Sequence, residues 1–243
     1  MKLMMITGAN GQIGSFLANA YYAEGYQLVL LFHKRKQRLT DLINKPGVTA
    51  LEVDLRDYGA VQSALHKLEQ TPEILIHCAA VRSDDAQPLT STEPDVFHNV
   101  FDTNFYCAYN VLRCVLPIMQ ENCFGRVVMY GSDVTRGGLE NGSSYAAAKA
   151  AIVNLVKSTA KEVAAQNVLI NAISPAPVDT CLEEDYSGNY LIFRQKYFTE
   201  HLKSVPTGKL VSKEEIKKVT DLLISPIITN LTGEEIFLCG GLK

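Results

Sequence analysis

The sequence predicts a doubly wound α/β fold: a parallel sheet of about seven strands with helices on both faces. Three observations point to it. Short apolar runs alternate with longer stretches of helical period along the chain. The run Leu28-Val29-Leu30-Leu31-Phe32 is continuously hydrophobic, as a strand buried on both faces requires. A glycine-rich turn, Thr7-Gly8-Ala9-Asn10-Gly11-Gln12-Ile13-Gly14, follows the first run directly and opens an amphipathic stretch. In order, the first strand is expected at 3–6 and ends in that turn, with a helix at 12–24 after it. A strand at 27–32 and a helix at 36–43 follow, then a strand at 49–53 and a helix at 58–69. The next pairs are strand 74–77 with helix 95–120, and strand 126–130 with helix 144–165. A strand at 169–173, a helix at 213–223 and a closing strand at 235–238 complete the alternation. The segment 180–209 breaks the rhythm. It carries acids at Glu183, Glu184 and Asp185, then Tyr186, Tyr190, Phe193, Tyr197 and Phe198. So long and aromatic an insertion is a helical pair packed on the body or, the reading preferred, a lid over a site.

Bulk properties bound the function. At 243 residues the chain can bury a sizeable core, and 1–243 is expected to form a single domain, since no linker or repeat divides it. A formal charge of −3 gives no basic surplus for nucleic acid or an anionic membrane. No apolar run approaches the ~20 residues that span a bilayer, and the N-terminus has no signal-peptide pattern. The six cysteines are scattered, with no C-x-x-C pair and no histidine at zinc-ligand spacing. Reduced thiols, a cytoplasmic location and no metal site are the expectation.

The chemistry concentrates around Ser144-Tyr145-Ala146-Ala147-Ala148-Lys149, with Ser132 upstream. Tyr145 and Lys149 are four apart among strong helix formers, so both project from one helix face. A free phenol ionises near pH ~10; an adjacent ammonium favours the phenolate and draws that value toward neutrality. A serine hydroxyl nearby would hold a substrate oxygen. Alone, such a pair also describes a surface Tyr/Lys couple on an alanine-rich helix.

The glycine turn offers a second chemistry. Glycines permit φ > 0 and let backbone amides approach a pyrophosphate at a helix N-terminus. At the end of the second strand an acid would select NAD(H) through the ribose 2′-hydroxyl. This chain has Phe32-His33-Lys34-Arg35-Lys36 there, cations that suit a 2′-phosphate and hence NADP(H), with His33 and Arg35 the expected contacts. NAD(H) remains the other nicotinamide cofactor this turn admits. Asp54, in Val53-Asp54-Leu55, is expected either to contact adenine or to cap the following helix.

Taken together, these residues resemble the short-chain dehydrogenase/reductase family, in its short single-domain branch, nearly end to end. Within it the chain is most like the 3-oxoacyl-carrier-protein reductases. The resemblance implies a Rossmann fold. It implies cofactor contacts at Gly8, Asn10, Gln12, Ile13, Gly14, Asp54 and Leu55. It extends them to Cys78, Ala79 and Ala80 after the fourth strand, to Pro175, Val178 and Thr180, and to Tyr145 and Lys149. The catalytic set it implies is Asn104, Ser132, Tyr145 and Lys149, with Asn104 anchoring a proton-relay water. Three departures stand out. Gln12 replaces a glycine usual in this branch, His77-Cys78-Ala79-Ala80 replaces Asn-Asn-Ala-Gly, and Ala176 replaces a glycine.

The implied activity is hydride transfer between NADP(H) and a carbonyl or secondary alcohol, on a small ketone or an acyl thioester. Arg82 and Arg136 are candidates to steer an anionic or carrier-bound substrate, or are solvated rim residues. A homotetramer is implied first and a homodimer next. The competing function is a catalytically idle NADP-binding sensor or scaffold of the same fold, for which the altered 77–80 segment leaves room.

Overall fold

The computed structural model describes residues 2–82 and 86–242. Among them, seven strands form one parallel sheet in the order β3-β2-β1-β4-β5-β6-β7. The strands are β1 (Leu3–Thr7), β2 (Gln27–Phe32), β3 (Val48–Glu52), β4 (Ile74–His77), β5 (Gly125–Tyr130), β6 (Val168–Pro175) and β7 (Glu235–Leu238). The helices are α1 (Gln12–Ala23), α2 (Tyr58–His66), α3 (Pro94–Glu121), the single turn α4 (Val134–Gly137), α5 (Ser143–Val163), α6 (Gly188–Ser204) and α7 (Lys213–Ile224). Each strand expected from sequence is present, within one or two residues at its ends. None of the helices among the described residues is long and apolar enough to cross a membrane.

The two-residue period of a strand sorts its side chains into two cores. Leu3 and Met5 of β1, with Val29 and Leu31 of β2, join Val111, Val115, Ile152 and Val156 of α3 and α5. Met4 and Ile6, with Leu28 and Leu30, face the other way onto Leu17 and Tyr21 of α1 and Ile216 and Leu223 of α7. Continuous apolar strands are therefore the direct consequence of helices on both faces. β5 carries a charged exception, Arg126, fully buried and donating to the backbone carbonyls of Gly125, Asn167 and Ile228.

Two expectations are corrected. The helix at 36–43 is only a 3₁₀ turn, Gln37–Leu39, followed by further turns. Its amides bond three residues back, as Leu39 to Lys36 and Leu42 to Leu39, and the Arg38 amide donates to Asn10 Oδ1. So short a segment before Pro46 cannot offset the cost of helix nucleation. Asp54 is not the cap of α2; Asp57 is, accepting from the Ala60 amide.

β1 pairs with β2 on one side and β4 on the other, so the chain reverses its direction of winding there. That places a crevice at the carboxyl ends of β1 and β4, where ligands bind in open α/β sheets.

Candidate active site

Two adjoining cavities occupy this crevice and share Ala80. The first, of about 220 Å³, is lined by Gln12, Ile13 and Gly14 at the start of α1 and by Cys78 and Ala80 after β4. Ser132 after β5, Tyr145 and Lys149 on α5, and Pro175, Val178 and Thr180 after β6 complete that wall. The second, of about 340 Å³, is lined by Gly8, His33, Asp54, Leu55, Arg56 and Ala79 among others. The fold thus gathers most residues singled out in the sequence. Arg35 is exposed and lines neither cavity; Asn10 and Asn104 act from behind the walls.

The turn fits a pyrophosphate. α1 begins at Gly11 with no side-chain cap and no acid in its first turn, so side chains leave the opening amides unfilled. α7 shows the contrast, its N-terminus closed by a reciprocal Ser212/Glu215 capping box. Gly8 has φ +62°, and a Cβ there would lie 2.5 Å from the Ala79 amide nitrogen, so only glycine lets the turn meet the 78–80 segment. Asn10 accepts at Oδ1 from the Arg38 amide and at its carbonyl from the Arg38 side chain. Gln12 binds both the amide and the carbonyl of Cys181 and donates to Asp185. These two side chains therefore join the turn to its surroundings, leaving its backbone to face the crevice.

In the second cavity Asp54 accepts a two-pronged interaction from Arg56, at 2.7–3.3 Å, which holds its carboxyl down to about 2. His33 Nε2 lies 3.9 Å from the same carboxylate. Arg56 is a wall residue the sequence reading missed.

Tyr145, Lys149 and Ser132 are 6%, 2% and 3% exposed. Lys149 Nζ donates to the Tyr130 carbonyl at 2.7 Å and lies 5.7 Å from the Tyr145 ring centre. Burial pushes the Tyr145 phenol up; Arg82 and Lys149, helped by hydrogen bonding with Ser132, outweigh it and bring the phenol below its usual value. Arg82, stacked 4.4 Å over the Tyr145 ring centre, is the stronger of the two cations. The Ser132 hydroxyl donates to Asp133 Oδ1 at 3.1 Å. Asn104 is fully buried, and its amide clasps both the amide and the carbonyl of Val81, fixing the residue before Arg82. Arg136 points elsewhere, 3.7 Å over Phe237 and donating to the Leu242 carbonyl.

The segment 180–209 forms a 3₁₀ turn, Leu182–Glu184, and the single helix α6, not a helical pair. Leu182, Asp185, Tyr186, Arg194 and Phe198 from it line the first cavity. Arg38 ties its start to the turn, pairing with Glu184 at 2.7 Å and Asp185 at 2.9 Å. Arg194 escaped the sequence reading. The only signal was the spacing Tyr190, Arg194, Tyr197, Phe198, one face of a helix.

A family model described as enoyl-(acyl carrier protein) reductase matches residues 8–243. "Oxidoreductase UcpA" of Salmonella typhimurium is 32% identical, over 99% of this chain and 94% of its own. The 3-oxoacyl-[acyl-carrier-protein] reductase FabG of Escherichia coli is 25% identical over 99% and 97%. The crystal structure of a 3-oxoacyl-[acyl-carrier protein] reductase from Brucella melitensis superposes with a TM-score of 0.87 at 22% identity, covering 99% of this chain and 91% of the other. With its parallel sheet, uncapped first helix and buried Ser132, Tyr145 and Lys149, the chain belongs to the short-chain dehydrogenase/reductase family of nicotinamide-dependent oxidoreductases.

Proposed function

We propose that the protein is an NADP(H)-dependent carbonyl reductase acting on a ketone or a 3-oxoacyl compound, with Tyr145 as proton donor. The observation that carries this reading is the buried Tyr145 hydroxyl, flanked by Ser132 and two cations, in a cavity that also contains the uncapped start of α1. The nicotinamide cofactor, when bound, supplies hydride equivalents to the carbonyl carbon. Backbone amides of Gln12, Ile13 and Gly14 receive the pyrophosphate. Asp54 and Leu55 border the adenine, and His33 with Arg35 attracts the 2′-phosphate. Lys149 holds the nicotinamide ribose and lowers the Tyr145 pKa. Ser132 turns its hydroxyl from Asp133 toward the carbonyl oxygen and donates to it as charge develops. Tyr145 then passes its phenolic proton to that oxygen, completing a secondary alcohol. Asn104 keeps the 81–82 backbone in place and the proton path to solvent open. The segment 180–209 serves as the lid.

Oxidation of NADPH over a panel of ketones and 3-oxoacyl thioesters tests the reading. Tight NADPH binding with no turnover on any of them would instead establish the idle sensor. The kcat/KM with NADPH should exceed that with NADH by at least about tenfold, and His33→Asp combined with Arg35→Ala should erase the difference. Equal use of both cofactors by the wild type would refute the 2′-phosphate assignment.

A pH dependence follows from the same geometry. Reduction needs the phenol protonated, so its kcat/KM falls as pH rises through the Tyr145 pKa. Arg82 lowers that pKa, so Arg82→Gln should move the falling limb to higher pH. A limb that stays in place would show that Arg82 does not tune the phenol.

A further inference from the structure

We propose that the substrate carries an anionic group, a carboxylate or a phosphate monoester, close to its reacting carbonyl, and that Arg194 and Arg82 receive it. The placement of the anion beside a reacting carbonyl rests on the carbonyl-reductase reading; the anion site itself does not.

Arg194 is only 4% exposed, and its Nε–H has no hydrogen-bond partner among the described residues. Its guanidinium sits among aromatic rings, 5.0 Å from the centre of Phe198, 5.5 Å from Tyr197 and 5.8 Å from Tyr186. Ring faces attract a cation, yet they offset only part of what it loses on leaving water. A second cation, Arg82, lines the same cavity, and together with burial it pushes the Arg194 guanidinium below its usual value. Two like charges turned into one small space are relieved by an anion between them.

The protein does not supply that anion among its described residues. No carboxylate of theirs lies within the 4.0 Å ion-pair distance of either guanidinium. Asp185 lines the cavity, but Arg38 and Gln12 hold its two oxygens. Asp133 accepts from Ser132 and acts on Arg82 only at longer range, while burial raises its carboxyl. Beside Asp133, burial drives His201 toward neutrality and, with the Asp133 charge, pushes the Tyr197 phenol up. The guanidinium fork matches carboxylate or phosphate oxygens in a bidentate manner. Ser132 and Tyr145 line the same cavity, so one small molecule can present its carbonyl to them and its anion to the arginines. At about 220 Å³, with Leu182, Tyr186 and Phe198 in its wall, the cavity suits a compound of few carbons.

Matched pairs test this: 3-oxobutanoate against its ethyl ester, and dihydroxyacetone phosphate against dihydroxyacetone. The first pair reads a carboxylate requirement and the second a phosphate requirement. In at least one pair the charged member should have the higher kcat/KM, on the order of 100-fold. Arg194→Met should bring that ratio to within about threefold of unity. Equal use of charged and neutral members, or a ratio that survives Arg194→Met while both rates fall, overturns the proposal. If Arg194→Met does not fold, Arg194→Lys decides: losing the fork should lower the ratio about tenfold, and an unchanged ratio overturns the proposal. Calorimetry of malonate and inorganic phosphate binding to the NADP-loaded protein separates the two readings. Anion binding that Arg194→Met abolishes, with no ketone reduced, supports the anion site and sinks the reductase. Turnover of neutral ketones with no anion bound does the reverse.

Discussion

Replacing Tyr145 with phenylalanine is expected to lower kcat for carbonyl reduction about 1,000-fold while NADPH still binds. The substitution removes one oxygen and leaves a ring of the same shape, so packing against Val100 and Val134 is kept. What is lost is the proton held at the cavity wall between Ser132, Lys149 and Arg82. Steady-state NADPH oxidation measures the loss, and quenching of NADPH fluorescence measures binding. A Kd weakened less than about tenfold beside the large loss of kcat would place Tyr145 in the chemical step. Turnover equal to wild type would remove Tyr145 from the mechanism, whatever the fate of the cofactor.

Gly8→Ala is expected to destabilise the fold by about 3 kcal/mol and to impair cofactor binding with it. Two independent terms contribute. At φ +62° an L side chain is strained, and its Cβ would lie 2.5 Å from the nitrogen and 2.6 Å from the Cα of Ala79. That contact is backbone, which cannot swing aside as a side chain can. Relief requires β1 and the 78–80 segment to part, opening the second cavity, which Gly8, Ala79 and Ala80 line, and shifting Ala80, which the two cavities share. Urea unfolding reports the first effect and NADPH titration the second. A variant as stable as wild type would show that the turn accommodates a side chain and that its glycine is not steric in origin. The contrast with Gly138 is instructive: it also has positive φ, but a Cβ there meets nothing, so only the conformational term would operate.

Much of this arrangement was legible in the chain. Most of the strands could be placed because they are apolar runs facing two cores, and the sorting of Met4 and Ile6 from Leu3 and Met5 needs only the two-residue period. The failure at 36–43 came from length: the segment is too short, with Pro46 close behind it, to offset helix nucleation, and it stops at a 3₁₀ turn. Asp54 and Asp57 illustrate an ambiguity, two acids near one helix start, of which geometry makes only the second a cap.

The sequence by itself determined the sheet, the glycine turn and the Tyr145–Lys149 pair, because each rests on a period or spacing repeated within a few residues. Only the tertiary structure decided that Arg82 turns onto Tyr145 while Arg136 turns away onto Phe237. It alone brought Arg194 from α6 into the same cavity and gave Gln12 and Arg38 to the 181–185 backbone and acids. The physical reason is that charge interactions act through space. A guanidinium on a long side chain takes its meaning from whatever the fold sets beside it, and its position along the chain carries little of that information.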